Sequence, residues 1–374
     1  MKNLIIFLSV FFSATAASAQ YYLVIGSYTA PVDSQGISIY AFDTSTGSAR
    51  PLSVTGGISN PSYIAISKDG EKLYAVSEKD HGSGAVLAYR LDHKTGSLQY
   101  INQASSGGRG PCYISTDDAG THVFMANYGS GSLGVIGLHK DGSLDTASAL
   151  SIQHTGGSID KENQSKPHAH SVVLSPDNRY LLCANLGNDH IYSYRYAPSL
   201  PQTLTPADPA YTTVTPGSGP RHICFHPSGN YVYVVNELAG SIDAFGYKDG
   251  ALTHQQNITM LPEGFHGTIE AADIHTSPDG KFLYASNREE RNELVIYSID
   301  ALGTLHYIAR QSVLGAAPRN FVIDPTGKFL LVGNLKNNEV VIFRRDKASG
   351  LLSFTGQKIS VAAPACLKFI DGTR

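Results

Sequence analysis

Three arginines, two glutamates and a histidine carry the strongest chemical signal in this chain: Arg221, Arg288, Arg319, Glu78, Glu237 and His170. They are scattered along the sequence, yet each stands at the start or just past the end of a short apolar segment. Arginine's planar fork suits bidentate capture of a carboxylate or phosphate. A histidine close to two arginines has its pKa lowered, is neutral near pH 7, and can accept a proton during a reaction. Glutamates among such groups can orient the histidine or keep the arginines paired.

A repeat gives those positions their meaning. Six times a short apolar segment of period-two alternation runs into a tight turn, and a second such segment ends in Ser or Asn. The turns are Lys68-Asp69-Gly70, Asp117-Asp118-Ala119-Gly120, Pro176-Asp177-Asn178, Pro227-Ser228-Gly229, Pro278-Asp279-Gly280 and Pro325-Thr326-Gly327. Alternation of this kind predicts strands, and a period of roughly 50 residues matches one four-stranded propeller blade per repeat. Weaker pairs such as Leu294-Val295-Ile296-Tyr297 supply the outer strands. Pro364 to Gly372 reads as a first strand and turn without a second strand, and Tyr21 to Ser27 reads as a second strand without a first. Joined, they make a seventh hairpin and remove the exposed edges of an open array. The expected fold is all-β: a seven-bladed β-propeller of four-stranded blades, closed by pairing of the N- and C-terminal strands, with residues 20–374 as a single domain.

In every hairpin the start of the first strand and the end of the second lie together, so seven blades direct those ends to one face around the channel. Ser62, His170, Arg221, Ala272, Arg319 and Ala365 occupy the strand starts; Tyr28, Glu78, Tyr128, Leu186, Glu237, Arg288 and Leu335 follow the second strands. Inter-blade salt bridges are the purely structural explanation for the charges, but burying so many at one mouth is costly without a purpose. His168 alternates with His170 and is a weaker candidate that could cap the preceding loop. His266, in Glu263-Gly264-Phe265-His266-Gly267-Thr268, is a secondary candidate, and residues 154–169 form a polar loop that could serve as a lid. His222, His226 and His275 lie within strands or at a turn and read as structural.

The remaining features bound the function. Residues 1–19 have a short polar start, an apolar run from Leu4 to Phe12, and Ala17-Ser18-Ala19, the pattern of a signal peptide cleaved after Ala19. The expected protein is exported, periplasmic or secreted, with no membrane insertion after cleavage. Net charge is −3 and basic runs are lacking, which argues against nucleic acid as a partner. The content of 37 Gly and 21 Tyr suits many short strands and turns, and the lack of Trp excludes the Trp-Asp blade signature. Cys112, Cys183, Cys224 and Cys366 fall within strands of separate repeats and read as small core residues, not disulfide partners. The pattern contains neither zinc-ligand spacing nor the Asp/Asn/Glu cluster of a calcium site, and no cofactor is expected.

The motifs Pro167-His168-Ala169-His170, Gly219-Pro220-Arg221-His222, Phe225-His226-Pro227, Val235-Asn236-Glu237, Ala271-Ala272-Asp273-Ile274, Leu283 to Arg288 and Pro318-Arg319-Asn320-Phe321 resemble the seven-bladed lactonase family. Its members include bacterial 6-phosphogluconolactonases and fungal carboxy-cis,cis-muconate cyclases. The resemblance spans nearly all of residues 21–370 in order. It implies His170, Arg221, Glu237 and Arg288 as the catalytic or binding group, with Arg319 joining them by position, and a small anionic lactone or sugar acid as the molecule bound. The expected activity is metal-independent hydrolysis of a sugar lactone, 6-phosphogluconolactone or a relative, with His170 as general base and the arginines binding anionic groups. An exported chain would rarely meet a cytosolic phosphosugar, which turns the expectation toward another aldonolactone. A muconate-type lactonizing cyclase and a non-catalytic propeller binding a glycan or protein are the alternatives.

Overall fold

A computed structural model describes residues 20–372 apart from 31–34, 79–81 and 201. The predicted signal peptide lies outside the described residues. The alternating segments form strands, and the described residues contain seven four-stranded antiparallel sheets. Each sheet is one blade, and its inner hairpin is the repeat read from the sequence.

The turn chemistry explains why these hairpins recur. The last residue of each turn needs a left-handed backbone: φ is 74° at Gly70, 64° at Gly120, 76° at Gly229, 69° at Gly280 and 69° at Gly327. Glycine reaches this region without steric cost, and Asn178, at 54°, belongs to the residue type that tolerates it best after glycine. A Ser/Asp pair locks the turn in three of the blades, one of them with Ser67 Oγ donating to Asp69 and accepting from the Lys72 amide. Ser175 Oγ donates to Asp177 Oδ1 at 2.6 Å and Ser277 Oγ to Asp279 Oδ1 at 2.5 Å, while the same two hydroxyls accept from the amides of Tyr180 and Phe282.

The ring closes as its sequence requires. Gln20–Ser27 pairs antiparallel with Pro364–Asp371 on one side and Ile37–Asp43 on the other, so one blade is built from both ends of the chain. The innermost strands are Pro364–Asp371, Ile64–Ile66, Pro111–Thr116, Ala169–Leu174, Pro220–Phe225, Ala271–Thr276 and Pro318–Ile323, and each touches the next around the full circle. Apolar side chains fill the space between blades: Tyr233, Val235 and Ile242 pack against Leu283, Ala285 and Val295 from the following blade. All six are fully buried, each removing about 1 to 3 kcal/mol of apolar surface from water.

One irregularity recurs where the innermost strands meet the channel mouth. Four of them begin with proline, Pro111, Pro220, Pro318 and Pro364, at the strand position where proline is tolerated. Immediately afterwards the ladder skips a residue. Pro220 pairs with Asn236 and His222 with Val235, which leaves Arg221 unpaired. The same bulge leaves out His170, Arg319, Cys112 and Ala365.

Candidate active site

A bulge breaks the alternation that would send successive side chains to opposite faces of a sheet, and it re-aims the extra residue. Arg221 and His222 therefore both line one cavity at the channel mouth, with Ser62, Tyr63, Cys112, His170, Arg319 and Ala365 completing its wall. The ends of the second strands add the carboxylates. Each of those strands in the charged half ends in a fully buried asparagine, Asn185, Asn236, Asn287 and Asn334, and directly after two of these stand Glu237 and Arg288.

Glu237 is the centre of the charged set. Its Oε2 accepts from Arg221 Nε at 2.6 Å and its Oε1 from Arg288 Nη2 at 2.8 Å. Arg221 is only 1% exposed, so this carboxylate is what makes its burial tolerable. Burial alone would raise the Glu237 pKa, but Arg221, Arg288 and Arg319 hold it below the usual carboxylate value. Arg288 is held further by Glu270, through Oε2 at 3.1 Å and through its backbone carbonyl. Arg319 differs: its guanidinium lies over the Tyr28 ring, 5.3 Å from the centroid, and makes no hydrogen bond or ion pair among the described residues. It is the cation most available to a ligand.

His170 is buried beside these groups, with Nε2 3.9 Å from Glu237 Oε2 and Nδ1 3.7 Å from Cys112 Sγ. Burial first, then the charges of Arg221 and Arg319 together with His222, put its pKa well below the ordinary value, so the ring is neutral at pH 7. With Nδ1 turned to the sulfur, Nε2 is the ring nitrogen that faces the carboxylate. Burial pushes the Cys112 thiol up to about 12, which leaves it protonated and a weak hydrogen-bond partner, not a nucleophile.

Tyr63 and Tyr113 stack at 3.9 Å and close the floor of the cavity, and both meet the His222 ring edge-on, at 5.8 and 5.2 Å. His222 Nδ1 lies 2.7 Å from Asp273 Oδ1, and its Nε2 lies 3.0 Å from Arg221 Nη1.

The structure brings His170, Arg221, Glu237, Arg288 and Arg319 to one mouth. Glu78 joins them on the far wall, where its carboxylate accepts from the Ser62 hydroxyl. His168 lies at the rim: it stacks on Tyr128 at 4.3 Å and its Nδ1 meets the Tyr128 carbonyl at 2.9 Å. His266 is not part of the set. It is exposed, and its segment contacts a neighbouring loop, with Thr268 N donating to Glu290 Oε1 at 2.8 Å and Phe265 beneath Arg291. The suggested lid is pinned at both ends. His154 is stacked on Tyr192 at 3.7 Å, and the buried Gln164 amide donates to Leu186 O and Asp189 Oδ1, both at 2.8 Å.

Two readings from sequence need correction. All four cysteines are free, but Cys112 lines the cavity and is no mere core filler. It occupies in its blade the position that His170 and Arg221 hold in theirs, so aligning the second repeat at its strand start would have found it. His222, read as structural, also borders the cavity; only the bulge at Arg221 puts it there, and strand alternation gave no hint. His226 does belong to a turn, with Nδ1 at Ser228 Oγ and Nε2 at the Gly280 carbonyl.

This architecture has close relatives. The family described as "Lactonase, 7-bladed beta-propeller" matches residues 22–369. A Formosa agariphila protein named 6-phosphogluconolactonase is 36% identical over 349 residues, covering 92% of this chain and 98% of its own. A Bacillus subtilis protein of the same name is 34% identical, covering 94% and 99%. Among solved structures, one from Bacteroides fragilis is 38% identical with a TM-score of 0.90, covering 96% of this chain and 99% of its own. The periplasmic gluconolactonase of Pseudomonas aeruginosa is 36% identical with a TM-score of 0.87, covering 94% and 99%. The chain belongs to the seven-bladed β-propeller lactonase family.

Proposed function

We propose that this protein hydrolyses a sugar lactone at the channel mouth, over the water-sized cavity lined by His170, Arg221 and Arg319. The observation that carries the reading is the neutral His170, whose Nε2 stands 3.9 Å from Glu237 Oε2 beside the arginines. That span is too long for a direct hydrogen bond and suits a bridging water. Such a water donates one hydrogen to each group and directs an oxygen lone pair at the lactone carbonyl carbon. As the new C–O bond forms, its proton passes to His170 Nε2, and the imidazolium is stabilised by Glu237. The carbonyl oxygen, now carrying charge, is met by Arg319 and the free Nη2 edge of Arg221. The ring C–O bond then breaks, and the alkoxide leaves with the proton held on His170, giving the open-chain acid.

The relatives named 6-phosphogluconolactonase and gluconolactonase support a sugar lactone as substrate class. Glu237 is committed to two arginines, so the donor set fits anion binding better than metal binding, and we take the reaction to need no metal. Export as a single propeller domain, residues 20–374, is part of the same proposal, supported by the periplasmic relative. The test is hydrolysis of δ-gluconolactone and its 6-phosphate, corrected for spontaneous opening, with and without a chelator. His170→Ala and Arg221→Ala should each lose about 100-fold or more in kcat. A wild-type protein that accelerates no lactone in a broad panel would overturn the reading.

A further inference from the structure

Below the cavity, one buried carboxylate ties together the strands that carry the site. Asp273 is 1% exposed on the innermost strand Ala271–Thr276, yet four groups converge on it. Its Oδ1 lies 2.7 Å from His222 Nδ1, and its Oδ2 lies 2.9 Å from His275 Nε2, 2.5 Å from Asn320 Nδ2 and 3.2 Å from the Phe321 amide. Three adjacent blades therefore meet on a single side chain. A fourth is added by Asn320 Oδ1, which accepts from the Leu367 amide at 2.7 Å.

We infer that Asp273 and His222 are a positioning pair that sets the orientation of the Arg221 guanidinium, and that Asp273 also anchors the strand carrying Arg319. The chemistry leaves one consistent arrangement of protons. A carboxylate with four donors around it is ionised and can only accept, so His222 carries its proton on Nδ1. His222 Nε2 then presents a lone pair, and Arg221 Nη1 donates to it at 3.0 Å. The other Nη1 hydrogen goes to the Ala272 carbonyl at 2.6 Å, and Nε–H goes to Glu237. Three of the five guanidinium hydrogens are thereby fixed, and no group among the described residues bonds to Nη2. What remains for the cavity is the Nη2 edge. In the opposite tautomer, Nε2–H would point at an arginine N–H, and the fork would have to rotate away. Tyr63 and Tyr113, edge-on to the imidazole, keep its ring from turning to avoid that conflict.

Asn320 and Phe321 directly follow the bulged Arg319, so the same carboxylate holds the backbone from which the second ligand-facing arginine projects. Asp273 touches no reacting atom in this scheme. It acts through His222 and through the Pro318–Ile323 strand.

The turnover part of the test rests on the lactonase reading, whereas the tautomer does not. Nitrogen-15 NMR of histidine-labelled wild-type protein should show His222 as the neutral Nδ1–H tautomer at pH 7, and an Nε2–H tautomer would overturn the inference whatever the enzyme's substrate. In kinetics, His222→Leu removes the acceptor and should lower kcat about 100-fold, the cost of a misplaced catalytic group. His222→Gln can accept from Arg221 and donate to Asp273, and should recover kcat to within about tenfold of wild type. Asp273→Asn should lower kcat and shift the His222 nitrogen signals together. Equal kcat in the Leu and Gln variants would overturn the inference, and that comparison stands even where Asp273→Asn fails to fold. A wild-type protein inactive on every lactone would sink the proposed function alone, because the tautomer would still be read.

Discussion

Mild acid should destabilise this fold before its carboxylates titrate, because three histidines are buried as neutral rings. His154 is wedged between Tyr192 and the Asn185 amide, with Nε2 2.9 Å from the Tyr194 hydroxyl. Burial lowers its pKa to about 4, with His190 adding to the shift. His222 is also lowered to about 4, by burial and by Arg221, against the opposing pull of Asp273. His170 is lowered further in the same direction. Each folded pKa lies below the value of roughly 6.5 that the unfolded chain would show. Between those values the unfolded state binds more protons, so stability is greatest above pH 6.5 and falls as the pH drops toward the folded pKa. From pH 6.5 to 5, His154 and His222 each contribute a loss of about 1.6 kcal/mol, or about 3 kcal/mol together. His170 adds to it. Against a net stability on the order of 5–15 kcal/mol this is a large fraction.

Urea unfolding at pH 7.5, 6.5 and 5.0 measures the effect directly. His154→Gln keeps a polar side chain where the imidazole was, lies outside the catalytic set, and removes one titrating group. Its loss of stability between pH 6.5 and 5 should be smaller than that of wild type by about 1.6 kcal/mol, whatever its absolute stability at pH 7.5. Identical losses in the two proteins would show that His154 is not a buried neutral ring, and the argument from burial would fail for all three.

Glu237→Gln should leave the buried Arg221 without its counter-charge, costing about 3–5 kcal/mol and lowering Tm by about 4–7 °C for a chain of this size. Calorimetry and lactone kinetics on one sample check it: a Tm within 1 °C of wild type with unchanged kcat/KM would refute the role given to this carboxylate. Truncation before Pro364 should open the ring by removing the strand paired with Gln20–Ser27, and with it the buried Cys366, Leu367 and Ile370, a loss of about 5 kcal/mol or more. A truncated protein that stays soluble and melts as wild type does would contradict closure by strand pairing.

The fold was legible because its determinants are local and repeated. A left-handed turn residue, a two-residue period and a terminal Ser or Asn recur often enough to align, and the orphan segments at the two ends then have only each other as partners. The charged half of the site was legible for the same reason: Arg221, Glu237, Arg288 and Arg319 stand at equivalent places in successive repeats. The remainder depended on features without a periodic signature. His222 enters the cavity wall because a bulge cancels alternation at Arg221, and a bulge is a property of pairing between two strands, not of either strand's composition. Asp273 looks like any buried polar residue in a strand until its own strand supplies His275 and the two neighbouring blades bring it His222 and Asn320. His266 is a different case: a glycine-flanked histidine in a loop suggests a site, and the tertiary structure leaves its side chain exposed although Glu270, at the end of the same loop, holds Arg288.

The bulged position explains how one scaffold can carry this chemistry without losing its ladder. Its side chain belongs to the residue left out of the pairing, so its identity is decoupled from the hydrogen bonds that hold the blade. Ala365 and Cys112 occupy it in two blades and His170, Arg221 and Arg319 in three others, with the flanking register unchanged. The result is an asymmetric mouth. Successive blades from His170 round to Arg319 carry the imidazole, the arginines and Glu237, whereas the opposite wall offers Ala365, Ser62, Cys112, the rings of Tyr28 and Tyr128, and a single carboxylate, Glu78, bonded to the Ser62 hydroxyl. A sugar lactone has the same asymmetry: one electrophilic carbonyl whose oxygen gains charge, and an uncharged polyol remainder with flat apolar faces. Placing the carbonyl against Arg221 and Arg319 leaves the polyol to the hydroxyl-bearing and aromatic wall. In the proposed reaction, the order of blades, more than any single residue, would then set which end of the lactone reacts.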